Sequence, residues 1–132
     1  MKYTVDKKEH YCLIKLNEEK LDATLSPILK SELITRHAEG VKNLILDMTD
    51  VKYTDSSGLS ALLIGNRIFG EEGGIFVLAG ITDHVMKLVN ISQLDNVLTI
   101  LPTVEEAIDA VFLNEIGRDL GDVPEEGENG AE

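Results

Sequence analysis

Residues 44–69 form the run LILDMTDVKYTDSSGLSALLIGNRIF, and this stretch decides the fold. It opens with a short continuous apolar run at 44–46, which is what a strand covered on both faces requires. After a polar loop, residues 57–69 have the length of a helix and are apolar around most of its circumference. The stretch therefore predicts a central strand, a loop and a largely buried helix.

Upstream of this run, residues 2–6 and 10–17 predict two short strands joined in a hairpin by the polar turn at 7–9. The only cysteine, Cys12, lies on the apolar face of the second strand. It cannot form an internal disulfide, so a buried structural thiol in a reducing compartment is expected.

A first helix is predicted after this hairpin, with Thr24 or Ser26 as its cap and Pro27 in its first turn. Gly40 is expected to end the helix. Its apolar stripe is expected to comprise Leu25, Ile28, Leu29 and Leu33.

Downstream of the central run, residues 75–79 and 97–101 predict strands, and Thr82 opens a helix between them. Thr103 and Glu106 have capping-box spacing at the start of a last helix. Strands that alternate with helices imply crossover connections and parallel pairing. The sequence therefore predicts an α/β fold with a mixed, mostly parallel sheet of four or five strands and about four helices.

The chain is strongly acidic, with a formal net charge of −12 over 132 residues, which is the size of a single domain. This charge repels phosphate backbones and anionic lipid, so neither nucleic-acid binding nor direct membrane binding is expected. No apolar segment is long enough for a membrane span or a signal peptide, and a cytoplasmic protein is expected. Residues 1–116 are predicted to form the domain, and the acidic residues 117–132 a disordered tail.

Polar side chains gather in the loop before the buried helix, namely Asp55, Ser56 and Ser57, followed by Gly58. A hydroxyl at a helix N-terminus faces free N–H groups and the positive end of the helix dipole, which tolerate a phosphate. A phosphoryl group would add about −1.5 to −2 charges and weaken a docked interface. The residues alone favour a simpler explanation, in which Ser56 or Ser57 is a helix cap, Asp55 a turn residue and Gly58 a position of tight packing.

The run at 44–69 resembles the signature of STAS domains, and in particular of the anti-sigma factor antagonists, through its strand, its D-S-[ST]-G-L element and its apolar helix. The segments KLDATLSP and GGIFVLAGITDHVMKLVNISQLDNVLTI resemble the same family. The resemblance covers residues 1–115 and implies the STAS fold.

The resemblance also implies roles for individual residues. Ser56 takes the position of the phosphoacceptor, and Asp22 that of an acidic residue near the partner-binding surface. The implied partner-binding set is Asp22, Asp55, Ser56, Ser57 and Gly58. The chain departs from the family pattern at Ser60, where a glycine is frequent, and little effect on helix packing is expected from this change. It also departs at 19–20, where Glu-Lys replaces the usual glycine, and this second departure bears on partner specificity.

The resemblance further implies a non-enzymatic binding protein that is monomeric when free. Its partner would be an anti-sigma factor that is also a serine protein kinase, and a serine phosphatase would restore the active form. ATP and Mg²⁺ would belong to the kinase, so no cofactor is expected here. The alternative is a STAS subunit of a transporter complex, such as a lipid-transport ATPase, in which Ser56 contacts a partner without phosphorylation.

Other classes of site lack their residues. No G-x-S-x-G nucleophile elbow occurs, and the three histidines lie in unrelated segments. One cysteine and dispersed histidines give no zinc spacing. A cation held by Asp47, Asp50 and Asp55 is disfavoured, because Asp47 is expected to end a strand. A receiver domain is disfavoured because lysines follow the first strand, where an acidic pair is needed.

Overall fold

The structure is a computed structural model and describes residues 1–121. Within them the chain forms seven strands and four helices. The strands are β1 (Tyr3–Lys7), β2 (Cys12–Leu16), β3 (Lys20–Leu21), β4 (Leu44–Asp47), β5 (Tyr53–Thr54), β6 (Phe76–Ala79) and β7 (Thr99–Leu101). The helices are α1 (Ser26–Ala38), α2 (Ser56–Gly70), α3 (Asp83–Ile91) and α4 (Val104–Gly121).

The main sheet has five strands in the order β1-β2-β4-β6-β7. The β1–β2 pair is antiparallel and every other pair is parallel, which confirms the predicted fold class and hairpin. A separate two-stranded parallel sheet pairs β3 with β5. Neither of its strands is among those that the sequence predicts.

The core lies on both faces of the main sheet. On one face, α1, α2 and α3 cover an aliphatic cluster that includes Ile14, Leu46 and Leu62. On the other face, α4 packs on Ile45 and Val77. All four residues of β4 are buried, so the prediction of a central strand covered on both sides is confirmed.

The predicted cap of α1 is wrong. Leu25 occupies the N-cap position and makes no side-chain cap bond. The Thr24 hydroxyl instead donates to the Asp22 carboxylate, and Ser26 lies inside the helix, where its hydroxyl donates to the Asp22 carbonyl. Both hydroxyls therefore bond to Asp22, which precedes the helix, and neither accepts a hydrogen bond from the first N–H groups of α1.

The predicted apolar stripe of α1 is correct in part. Leu29 and Leu33 are fully buried, and Leu25 packs at the edge of the core. Ile28 is 42% exposed, so its place in the stripe is wrong. A residue next to Leu29 is turned by about 100° around the helix, which carries Ile28 away from the sheet.

Two helices end in the same backbone motif. After α1, Gly40 N–H donates to the His37 carbonyl and the next N–H donates to Arg36, with Gly40 at a φ of +100°. After α3, the corresponding position is Gln93, with a φ of 61°. This Schellman motif favours glycine at its left-handed position, so Gly40 ends α1 as predicted and Gln93 is strained.

The buried amide of Asn43, just before β4, links α4 to the segments that precede β2 and β6. Asn43 Nδ2 donates to the His10 carbonyl at 2.9 Å and to Glu115 of α4 at 3.0 Å, and its oxygen accepts from Ile75 N–H.

The helix α4 begins as predicted, because Thr103 Oγ1 accepts from Glu106 N–H at 3.1 Å.

The structure describes α4 as far as Gly121, so residues 117–121 of the predicted tail lie within this helix. Gly117 has a negative φ and does not end the helix, since glycine does so by adopting the left-handed conformation. The remainder of the proposed tail lies outside the described residues. In the part of the chain that the structure describes, no helix is long and apolar enough to cross a membrane.

Candidate functional site

The small β3–β5 sheet assembles the site. Its parallel register pairs Leu21 with Thr54, so the residues that follow them, Asp22 and Asp55, emerge side by side. Asp55 then opens α2, and Asp22 precedes α1. Two helix N-termini and two carboxylates are therefore brought to one edge of the molecule, which places all five predicted partner-binding residues together.

Asp55 is the N-cap of α2. Its Oδ1 accepts from the N–H of Ser57 at 3.0 Å, from the N–H of Gly58 at 3.1 Å and from the Ser57 hydroxyl. The bond from the Ser57 hydroxyl, followed by the Gly58 N–H, lowers the pKa of Asp55 below its ordinary value of 3.8. The carboxylate is thus ionised and already committed to the helix start.

Gly58 is required by close packing. A Cβ at this position would lie 2.0 Å from Thr54 Oγ1 and 2.6 Å from the Leu21 carbonyl oxygen. The Thr54 hydroxyl is buried and donates to that same carbonyl at 2.8 Å. The glycine therefore lets α2 begin directly against the β3–β5 sheet.

Ser57 faces inward. Besides its bond to Asp55, its oxygen lies 3.1 Å from the hydroxyl of Ser26, which is 1% exposed and donates to the Asp22 carbonyl at 2.7 Å. Because each hydroxyl has only one hydrogen, the two serines can donate in only two of these three contacts at once, and both hydrogens are therefore engaged within the protein.

Ser56 faces outward. It is the first residue of α2 and is exposed. Within residues 1–121, its hydroxyl has no hydrogen-bond partner. The two neighbouring serines therefore differ sharply, since Ser56 is accessible to a second protein and Ser57 is occupied.

Asp22 lies beside this loop and is also engaged locally. Its Oδ1 accepts from the Thr24 N–H at 3.0 Å and from the Thr24 hydroxyl at 2.6 Å. The hydroxyl bond is the main reason that the pKa of Asp22 lies below its ordinary value, while the charge of Asp55 opposes the shift. Two ionised carboxylates therefore stand near the exposed serine.

An open groove runs from Ser56 to α3, and we call it the α3 groove. Its volume is about 340 Å³. It is lined by Tyr53, Thr54, Asp55, Ser56, His84, Lys87, Leu88 and Ile91. Sequence reasoning missed both this groove and Ser26, because each depends on how elements distant in the chain pack together.

Asp47, Asp50 and Asp55, which the sequence analysis considered as ligands of a cation, make other contacts in the structure. Asp47 accepts from the N–H and hydroxyl of Thr49, and Asp50 lies 3.9 Å from Lys15. Among the described residues, no group of three or more His, Cys, Asp or Glu side chains could hold a metal ion.

The fold and the loop at Ser56 define a STAS domain. The family model for the STAS domain matches residues 2–107, and the chain belongs to this family. A curated relative is the anti-sigma-B factor antagonist of Bacillus subtilis, which is 26% identical over 101 residues that cover 76% of this chain and 92% of the relative.

Solved structures share the fold. An anti-sigma factor antagonist from Mycobacterium paratuberculosis has a TM-score of 0.75 at 21% identity, covering 84% of this chain and 93% of the other. The antagonist SpoIIAA in its unphosphorylated form has a TM-score of 0.67 at 21% identity, covering 84% and 98%. Its phosphorylated form, from Bacillus, has a TM-score of 0.65 at 23% identity, covering 83% and 99%.

The same fold also occurs in a sulfate transporter family protein from Wolinella succinogenes, with a TM-score of 0.68 at 21% identity and coverage of 79% and 86%.

Proposed function

We propose that this chain is an anti-sigma factor antagonist, a cytoplasmic binding protein without enzymatic activity that a partner kinase switches off by phosphorylating Ser56. The observation that carries the proposal is the contrast between the exposed hydroxyl of Ser56, which has no partner among the described residues, and the occupied hydroxyl of Ser57. The curated anti-sigma-B factor antagonist and the SpoIIAA structures in two phosphorylation states support the same role.

The unphosphorylated protein binds an anti-sigma factor that is itself a serine kinase, through the surface at Asp22, Asp55 and Ser56. Of the other two residues of the predicted partner-binding set, Ser57 faces inward and Gly58 is buried, and both hold this surface in place. The kinase brings its own ATP and Mg²⁺. A serine phosphatase removes the phosphate and restores binding. The antagonist itself is a monomer when free.

Electrostatics explains the direction of the switch. A phosphoryl group on Ser56 adds about −1.5 to −2 charges next to the ionised carboxylate of Asp55 and beside that of Asp22. A partner surface that fits the bare loop then meets a charged and hydrated group. The N-terminus of α2 stabilises the phosphate locally, so the protein itself tolerates the modification.

The test uses a purified serine-kinase anti-sigma factor encoded in the same genome. With Mg²⁺ and ATP, intact-mass analysis should show one phosphoryl group on the wild type and on Ser57→Ala, and none on Ser56→Ala. Phosphorylation should weaken binding about tenfold or more, equivalent to about 1.4 kcal/mol. A kinase that binds the protein stably yet never modifies Ser56 contradicts the switch.

The second candidate is a STAS subunit of a transporter assembly, which the shared fold with the sulfate transporter family protein favours. In that role, Ser56 contacts its partner without phosphorylation. Affinity purification of the tagged chain from its own cells separates the two candidates. Recovery of transporter subunits without a kinase, with Ser56 unmodified, supports the second.

A further inference from the structure

The α3 groove offers an apolar surface next to Ser56 that has no occupant in the described part of the chain. Ile91 is 70% exposed and Tyr53 is 43% exposed, and both line the groove. Leu88 is half-buried between them and the core. Large exposed apolar side chains gathered in a concave site are typical of protein contacts.

Among the described residues, the lining of the groove includes a lysine without a charged partner, although the chain as a whole is strongly acidic. His84 and Lys87 line its α3 side, and Lys87 forms no ion pair within residues 1–121. The one carboxylate of the lining, Asp55, is committed to the start of α2. A chain with a net charge of −12 therefore presents an unpaired cation at this site.

We propose that the α3 groove receives an apolar side chain of the protein partner, and that Lys87 pairs with a carboxylate beside that side chain. The inference rests on the proposed function, because it assigns the groove to the partner that acts at Ser56. An acidic, apolar segment is the chemistry that complements an apolar groove with an unpaired lysine at its rim.

This arrangement gives the switch a second component. A phosphate on Ser56 would stand on the lining of the same groove and compete with the partner's carboxylate for Lys87. Phosphorylation would then remove an attractive contact as well as add repulsion. Lys87→Glu should therefore reduce binding of the unphosphorylated protein and narrow the difference between the two phosphorylation states.

The first arm of the test measures affinity for the purified serine-kinase anti-sigma factor. Ile91→Ala and Lys87→Glu should each weaken binding about tenfold. The matched controls are Ile34→Ala, an isoleucine 52% exposed on α1, and Lys42→Glu, an exposed lysine outside the groove. The controls should stay within about twofold of the wild type, and circular dichroism should show that every variant is folded.

The second arm does not require the kinase. Random peptides displayed on phage are selected on the immobilised full chain and counter-selected on its Ile91→Asp variant. The selection should enrich a large apolar residue next to Asp or Glu, and Lys87→Glu should abolish binding of the enriched peptides. Peptide enrichment without any binding by the kinase would contradict the proposed function and leave the groove assignment standing.

Three results overturn the inference. One is unchanged kinase affinity in Ile91→Ala and Lys87→Glu while the wild type binds. Another is a selection that enriches no acidic, apolar peptides. The third is self-association of the wild type that Ile91→Ala abolishes in analytical ultracentrifugation, since that would assign the groove to a second copy of the chain.

Discussion

At the scale of single residues, Gly58 should be the least replaceable position of the site. In Gly58→Ala, the new Cβ meets the Leu21 carbonyl, which belongs to the backbone and cannot rotate away. We expect a loss of about 1–3 kcal/mol in the free energy of unfolding, measured by urea denaturation. The control is Gly70→Ala in the same helix, where a Cβ has no neighbour within 4 Å. That variant should be neutral or up to about 1 kcal/mol more stable.

Asp55 should make stability depend on pH through its cap. Folding lowers its pKa, so its contribution is complete above its ordinary value of 3.8 and is lost as the pH falls through the lowered value. Asp55→Ala should cost about 1 kcal/mol at pH 7, and the gap to the wild type should narrow below pH 3.8. Asp55→Asn, which keeps a cap acceptor, should lose less at pH 7. A gap that widens in acid would contradict this account.

The sequence located the loop but could not distinguish the roles of its serines. The pattern D-S-S-G placed hydroxyls at a helix N-terminus, and only the resemblance selected Ser56. The distinction in the structure arises because Ser57 turns toward Ser26, which is distant in the chain. Local pattern does not reveal which helix will pack there, so the partner of Ser57 could not be predicted.

At the scale of elements, the end of α3 offers a simple gain in stability. Gln93 occupies the left-handed position that Gly40 occupies after α1. A non-glycine residue there carries a cost of about 1–2 kcal/mol. Gln93→Gly should therefore raise the free energy of unfolding by about 0.5–1 kcal/mol, less than the full strain because glycine also loses more entropy on folding. The reciprocal variant, Gly40→Ala, should be destabilised, and both are measured by urea denaturation.

The elements that the sequence predicted well are those with a strong hydrophobic period. The strand at β4, the helix α2 and the start of α4 follow from runs and caps within the chain itself. The strands β3 and β5 have two residues each, which is too short to show alternation. Their existence depends on pairing with each other across 33 positions, and that pairing could not be inferred locally.

At the scale of the whole molecule, phosphorylation of Ser56 should change the surface and leave the fold intact. The side chain is exposed, and the N-terminus of α2 offsets the repulsion from the nearby carboxylates. Phosphorylated protein should therefore have a free energy of unfolding within about 1 kcal/mol of the unmodified form. Two-dimensional NMR spectra should differ only near the loop and the α3 groove.

The matched control for this prediction introduces a negative charge at the neighbouring serine, Ser57. Ser57→Asp would place a second carboxylate against Asp55 and Ser26, in a half-buried position. It should be destabilised by about 2 kcal/mol or more in the same measurement, since an unpaired charge is costly to bury. Equal stability of Ser57→Asp and the phosphorylated protein would contradict the assigned orientations of the two serines.

The single thiol of the described chain, Cys12, is 0% exposed at the start of β2, and burial raises its pKa. Cys12 of the folded protein should consequently not react with maleimide dyes, since little of the thiol is in the reactive thiolate form and the sulfur is shielded from solvent. A cysteine introduced on the rim of the α3 groove would then be the only position labelled by a fluorophore. Binding of another protein could be followed in real time by its fluorescence, without first replacing Cys12.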